Sequence, residues 1–280
     1  MNYGFIGGYG RSGTTAAMLA MSKSPQVFPL METQLLNEAV FPYLDGKIHQ
    51  EQFKAAYRRF VGQPKDMEFG GRKSKKNPAS VTDYFVKNEQ AAVDVLSALG
   101  PGDLDMNKKV KNFVEVMFGT QAYDACKYLC LEKSPRIVTV AGRVAQALPE
   151  AGFVHMHRDP LDVYCSVRSK TWGPNDIKTF VESYNKVMHR ALSERKMVPE
   201  GRYLTVQMEQ LVENPMPYLM AMAKLFGLDY DFIHEAVSVV SQVDAHTGRW
   251  RSELSEEDAG NVWDGCREVY SEWRKLSFQP

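Results

Sequence analysis

Nowhere does this chain carry a run of about 20 consecutive apolar residues, so no segment of it is expected to cross a bilayer as a helix. Net charge is missing as well. The 34 Lys and Arg residues cancel the 34 Asp and Glu residues, which argues against a general nucleic-acid binder and makes any anion site a local one. Cysteine is sparse, with Cys126, Cys130, Cys165 and Cys266 the four. Cys126 and Cys130 stand one helical turn apart, but no second pair follows at metal-ligand spacing. Reduced, mostly buried thiols are therefore expected, rather than a metal centre or a disulfide framework. No internal repeat stands out, and no leader is expected. The first strand begins by Tyr3 and runs straight into a glycine-rich turn, which makes the cytoplasm the expected compartment.

What is present is concentrated near the N-terminus. Gly4-Phe5-Ile6-Gly7-Gly8-Tyr9-Gly10-Arg11-Ser12-Gly13-Thr14-Thr15 reads as a short apolar strand, a glycine turn and a helix opening at Ala16. In that geometry consecutive backbone N–H groups converge on an anion. Against the phosphate-loop pattern G-x-x-x-x-G-K-[ST], Gly8, Gly13 and Thr15 fall in register, but Thr14 holds the lysine position. The loop can cradle a phosphate without the lysine that reaches the outer phosphates of ATP or GTP. Its positive charge is Arg11, inside the turn.

Apolar residues make up 44% of the chain, enough for a substantial core in a single domain spanning 1–280. Strands are expected at 3–7, 26–30, 128–131, 152–157 and 203–206, and helices at 14–24, 143–148, 161–170, 176–196 and 209–226. The tail is expected to be helical except at 246–251. This alternation predicts an α/β fold with a central parallel sheet covered by helices on both faces. Residues 35–125 read as mainly helical. They are interrupted at 62–80 by Gly62, Pro64, Gly70, Gly71 and Pro78 among Arg72, Lys73, Lys75 and Lys76, which reads as a loop, and again at Gly100-Pro101-Gly102. His155 and His157 alternate with Val154 and Met156 along a strand, which fits core or sheet-edge histidines.

Four segments, taken in order, resemble the sulfotransferases that use 3′-phosphoadenosine 5′-phosphosulfate (PAPS). Gly10-Arg11-Ser12-Gly13-Thr14-Thr15 is similar to that family's 5′-phosphosulfate loop, in the arginine version typical of its tyrosylprotein and carbohydrate branches. His157-Arg158-Asp159-Pro160, with Ser166 eight residues after the arginine, resembles the 3′-phosphate motif. Leu204 to Val212 followed by Asn214-Pro215 resembles the strand-to-helix segment near the nucleotide. Gly248-Arg249-Trp250-Arg251 resembles the C-terminal loop that closes over it. The resemblance leaves 35–125 unmatched. It implies a P-loop nucleoside-triphosphate-hydrolase-like sulfotransferase fold, with PAPS as co-substrate.

By the same resemblance Glu32, in Met31-Glu32-Thr33, is similar to the carboxylate that serves as general base in the tyrosylprotein branch. Lys133, in Glu132-Lys133-Ser134-Pro135, resembles the lysine that supports the transferring sulfuryl group. The histidine used as base in the cytosolic branch is absent after Lys133, which favours Glu32. Met208 stands where family members often carry a tyrosine; a methionine can pack on a purine face but lacks the hydroxyl.

Sulfuryl transfer asks for in-line geometry and for cations or N–H donors around the charged oxygens. The loop amides of residues 11–15 and the helix dipole would hold the 5′-phosphate, and Arg11 with Lys133 would neutralise the leaving oxygen. Arg158 would grip the 3′-phosphate by paired N–H donors with the Ser166 hydroxyl beside it, and Lys170 and Arg249 are further phosphate contacts. Trp172 fits either the border of an acceptor pocket or simple packing. PAPS carries its own stable leaving group, so no metal is expected. The acceptor, a hydroxyl or amine on a small molecule, carbohydrate, lipid or peptide, would be chosen by 35–125. The competing readings are a kinase or nucleotidase acting on ATP, disfavoured by the missing lysine, and a non-catalytic nucleotide-binding protein.

Overall fold

The computed structural model describes residues 1–61, 77–97, 106–174, 176–243 and 246–280, together with the backbone of 66–69 and 72–75. Five strands form one parallel sheet: β1 (Asn2–Gly8), β2 (Val27–Met31), β5 (Leu129–Lys133), β6 (Gly152–His157) and β7 (Tyr203–Gln207). The order across the sheet is β2-β5-β1-β6-β7. Between β2 and β5 the backbone of β3 (Asp66–Phe69) and β4 (Arg72–Lys75) makes a separate antiparallel hairpin. The expected α/β class with a helix-covered parallel sheet is therefore the observed one.

The alternation of side chains along each strand builds two cores. Phe5, Cys130 and Phe153 face one side, where helices Ile177–Arg195, Ala141–Ala147 and Glu256–Leu276 and the helices of the 36–122 region cover them. Ile6, Leu131, Val154 and Met156 face the other, under helices Thr14–Met21, Pro215–Phe226 and Ile233–Val240. Because every strand is parallel, the turns leaving β1, β2, β5, β6 and β7 all emerge at one edge. That carboxyl edge is where an open α/β sheet binds its ligands.

Several local expectations change. The 62–80 loop contains the β3–β4 hairpin and the start of helix Ala79–Lys87. Two short runs flanking Gly70-Gly71 are a hairpin signal that the basic composition masks. The expected basic cluster itself, the side chains of Arg72, Lys73 and Lys75 and the whole of Lys76, lies outside the described residues, as do residues 62–65, 70–71, 98–105, 175 and 244–245. Helix 209–226 is two helices, Met208–Glu213 and Pro215–Phe226, broken at Asn214 (φ −140°, ψ 79°) because the proline ring disfavours a helical residue before it. The expected strand 128–131 runs on to Lys133, so Glu132 and Lys133 are strand residues, not a loop. The stretch 246–251 is not wholly loop, since a short helix begins at Trp250.

The two strand histidines are core groups, as expected. His155 Nδ1 lies 3.0 Å from the Tyr203 hydroxyl, and its ring packs 3.9 Å from that of Trp273. His157 Nε2 lies 2.6 Å from Ser277 Oγ. Together they dock the long C-terminal helix on the sheet. Burial, with a smaller push from Arg274, drives the His157 pKa down to about 3, and burial holds His155 well below the ordinary histidine value. Both are neutral in the fold, while the unfolded chain takes up their protons below about pH 6.5. The contribution of His157 to stability is therefore complete above that pH and lost as the pH falls towards 3, at about 1.4 kcal/mol per pH unit, and that of His155 is lost in the same direction. His157→Asn should flatten the fall in melting temperature between pH 6 and pH 4, while a slope equal to the parent's would show that His157 does not titrate on unfolding.

Candidate active site

The phosphate loop leaves β1 by a turn that admits no side chain at two points. Gly8 has φ 153°, and a Cβ there would lie 2.0 Å from the Met156 carbonyl oxygen. Gly13 has φ 89°, and its Cβ would meet Met208 Sδ at 2.2 Å. Arg11, between them, also takes a left-handed conformation, with φ 72°. Helix Thr14–Met21 opens on Gly13 with, among the described residues, no side-chain cap, and with no acidic residue in its first turn. Its positive end is thus presented to the carboxyl edge of the sheet.

On the adjacent strand, Lys133 closes β5 with a side chain that is 0% exposed. Its Nζ donates to Glu32 Oε1 at 2.6 Å and to Thr15 Oγ1 at 3.2 Å. Burial lowers the Lys133 pKa, and the adjacent Glu32 charge opposes that shift. Glu32 follows the last residue of β2 in a left-handed conformation (φ 55°), and its N–H donates to the Lys133 carbonyl at 2.5 Å. Asn77 secures the strand just before it: Nδ2 donates to the Met31 carbonyl and Oδ1 accepts the Met31 N–H, both at 3.0 Å. Asn77 thereby replaces a neighbouring strand at the free edge of β2.

At the end of β6, Arg158 is 7% exposed and donates to the Arg11 carbonyl and the His246 carbonyl, both at 3.4 Å. Ser166 Oγ accepts from Arg11 Nε at 2.9 Å. Asp159 caps helix Pro160–Val167 by accepting the Leu161 N–H at 2.8 Å. One turn on, Asp162 is fully buried and accepts the N–H groups of Gly248 at 2.7 Å and Trp250 at 3.4 Å. It ties the 246–250 segment over Arg158, whose guanidinium is 4.0 Å from it. Desolvation and then the charge of Arg158 lower the Arg11 pKa; Glu32 raises it and Arg249 lowers it further. Three guanidiniums so near one another leave the edge in want of an anion.

A sequence model of the sulfotransferase family matches residues 5–232 of the chain. The chain belongs to the sulfotransferase family. Among solved structures it is similar to sulfotransferase STF9 from Mycobacterium avium (TM-score 0.53, 13% identity, 97% of this chain and 75% of that one). It is also similar to sulfotransferase STF1 from Mycobacterium tuberculosis H37Rv (TM-score 0.50, 14% identity, 93% and 76%). A third is the sulfotransferase domain of the curacin biosynthetic pathway (TM-score 0.50, 13% identity, 100% and 92%). At these identities the likeness is one of fold. No sequence in the curated collection of proteins matches the chain.

In this sulfotransferase the sequence-predicted residues Gly10 to Thr15, Glu32, Lys133, Arg158 and Ser166 converge on one edge, and Gly248 and Trp250 reach it through Asp162. Arg249 lies beside them and is paired with Glu253, Nε to Oε1 2.7 Å. Lys170 is exposed beyond the end of helix Pro160–Val167. Met208 does not present a free face to a purine: it is 3% exposed, wedged beneath Gly13. The Trp172 ring lies against Gly10, 3.5 Å from where a Cβ would be, with 64% of the residue exposed. Asp162 and Asn77 were not foreseen. Asp162 had a signal in its i, i+4 spacing from Arg158; Asn77 had none, because its partner is 46 residues away. Among the described residues no group of three or more His, Cys, Asp or Glu is placed to hold a metal, and no helix is long and apolar enough to cross a membrane. The four cysteines are free; Cys126 is exposed and the other three are buried.

Gly13→Ala should destabilise the protein by about 2–4 kcal/mol, from the positive φ and the overlap with Met208. Met208→Ala should relieve the overlap alone, so the double variant should be less destabilised than the sum of the singles in urea unfolding. Strict additivity would show that Met208 does not support the loop.

Proposed function

We propose that this sulfotransferase moves a sulfuryl group from PAPS to a hydroxyl or amine acceptor, in the cytoplasm, with Glu32 as general base. The observation that carries the reading is the position of Lys133 Nζ, bonded at once to Thr15 of the phosphate-loop helix and to Glu32. One buried cation thus joins the site for the donor's phosphate to the group that would receive the acceptor's proton. The uncapped start of helix Thr14–Met21 and the arginines at 11, 158 and 249 suit a nucleotide with phosphates at two separate positions.

In this reading the amides of residues 11–15 hold the 5′-phosphate, while Arg158 and Ser166 hold the 3′-phosphate. Arg249 and the backbone of Gly248 and Trp250 close over it, and Lys170 adds charge at the rim. The bound donor supplies an activated sulfuryl group whose bond to a phosphate oxygen breaks as the acceptor–sulfur bond forms. Glu32 takes the proton that the acceptor gives up. Lys133 and Arg11 offset the negative charge that builds on the departing phosphate oxygen. Such fixed charges cost no reorganisation at the moment of transfer. The 35–125 region, packed beside β2 and β5, would choose among small-molecule, carbohydrate, lipid and peptide acceptors.

A thermal-shift comparison tests the donor class. Adenosine 3′,5′-bisphosphate should raise the melting temperature and Mg-ATP should not; the reverse would make the protein a kinase-like phosphotransferase. Glu32→Gln should abolish transfer of labelled sulfate from PAPS in a panel of alcohols, phenols, sugars and amines, with affinity for the bisphosphate nearly intact. A parental rate in that variant would remove Glu32 as base. Arg158→Ala should weaken bisphosphate binding by about 2–4 kcal/mol and adenosine 5′-phosphate much less. Equal losses for both nucleotides would contradict the assignment of the 3′-phosphate.

A further inference from the structure

Glu132 is a buried carboxylate to which the transfer chemistry assigns no task. It is the penultimate residue of β5, 2% exposed, opposite Phe5 on β1 and Leu30 on β2. Strand alternation sends its side chain to the face opposite that of Lys133. Both nevertheless grip the same three-residue turn. Lys133 holds the Glu32 carboxylate from one side. On the other side Glu132 Oε1 accepts the hydroxyls of Thr33 at 2.9 Å and Ser134 at 2.5 Å. Those hydroxyl oxygens in turn accept backbone N–H groups, Gln34 to Ser134 Oγ at 2.9 Å and Leu35 to Thr33 Oγ1 at 3.5 Å.

The turn needs this hold. Glu32 and Gln34 both sit in the left-handed region, at φ 55° and 51°, and neither is glycine. Two such residues in three persist only where their surroundings over-determine them. Water cannot do so here, because Thr33 and Ser134 are each 1% exposed. The carboxylate of Glu132 is the hub at which their two hydroxyl bonds meet.

We propose that Glu132 is a positioning residue for sulfuryl transfer: through Thr33 and Ser134 it fixes the left-handed turn that aims Glu32 at Lys133 and at the acceptor. The inference rests on the reading of Glu32 as base. Glu132 touches no substrate. The charged or titratable groups acting on it are Lys133, which favours its ionised form, and the Cys130 thiol on the same face of β5. Burial pushes the Glu132 carboxyl up to about 7, with both hydroxyls and Lys133 pulling the other way. A change of charge at the hub near neutral pH would therefore be felt at Glu32.

The test uses the full chain and labelled PAPS, with water as acceptor in single turnover and with the best alcohol of the panel. Thr33→Val should slow transfer at least tenfold while leaving affinity for adenosine 3′,5′-bisphosphate within twofold, and Thr33→Ser should restore the rate to within threefold. Glu132→Leu should fall with Thr33→Val, and the double variant should be no slower than either alone. Glu132→Gln, which keeps an acceptor oxygen, should retain most of the rate and lose any inflection near pH 7. A crystal structure of Thr33→Val should show the Glu32–Lys133 contact lengthened. Multiplying losses, an unchanged rate in Thr33→Val, or an unmoved Glu32 in that crystal would each overturn the inference. Should Glu132→Leu fail to fold, the two Thr33 variants decide it. A normal rate in Glu32→Gln would instead strike the base assignment, leaving the crystal geometry to judge the positioning.

Discussion

A lysine ammonium with no solvent exposure is the constraint around which the carboxyl edge of this sheet is arranged. Moving such a charge out of water costs several kcal/mol unless partners meet it. Lys133 has two, Glu32 at 2.6 Å and Thr15 at 3.2 Å. Those partners come from β2's end and from the helix after β1, the two strands that flank β5 in the sheet. The strand order is thus what allows the pair to exist. With β5 between β2 and β1, its last residue reaches both neighbours at once, and loss of either contact would leave the buried ion with less to offset its desolvation.

The same edge shows how the fold decides which amides are free for a ligand. At the start of helix Ala141–Ala147, Glu194, itself buried, accepts the Gly142 and Arg143 N–H groups at 2.9 and 3.2 Å. The segment 248–250 receives Asp162. Helix Thr14–Met21 has no acidic residue in its first turn and, among the described residues, no side-chain cap. Internal anions thus occupy two sets of N–H groups, and the phosphate loop keeps its field for something from outside. Arg11, Arg158 and Arg249 add to that field at the same place.

The sheet, its parallel sense and the phosphate loop were legible from the chain because they are written in local patterns. These are apolar runs of four to seven residues, glycines where the backbone must turn, and proline and aspartate at the helix start of 159–160. That Arg11, Glu32, Lys133, Arg158 and Ser166 gather at one edge was legible through motif resemblance, in which spacing along the chain stands in for proximity. Illegible were contacts made between residues far apart in sequence with no residue type to mark them. Asn77 on Met31 is one, Met208 under Gly13 another. Lys133 also misled at the level of local reading, because two charged residues ordinarily end a strand. Here they extend it, since each has partners on its own face of the sheet.

Alternation along β5 carries a further consequence for specificity. A strand has two faces, and at its end this one uses both: Lys133 faces the helix of the phosphate loop, and Glu132 faces the helical region that follows β2. Two and three residues after Thr33, which is bonded to Glu132, come Leu35 and Leu36, both buried in the core that contains Phe53, Phe85, Phe113 and Phe118. The turn bearing Glu32 is therefore continuous with the packing of the 36–122 helices. Arg158, by contrast, bonds backbone carbonyls and lies by Asp162 at the far side of β1. Change in the helical region can accordingly alter the setting of Glu32, while Arg158, anchored on β6 and the C-terminal segment, is held independently of it. In this chain that division follows from which strand supplies which contact.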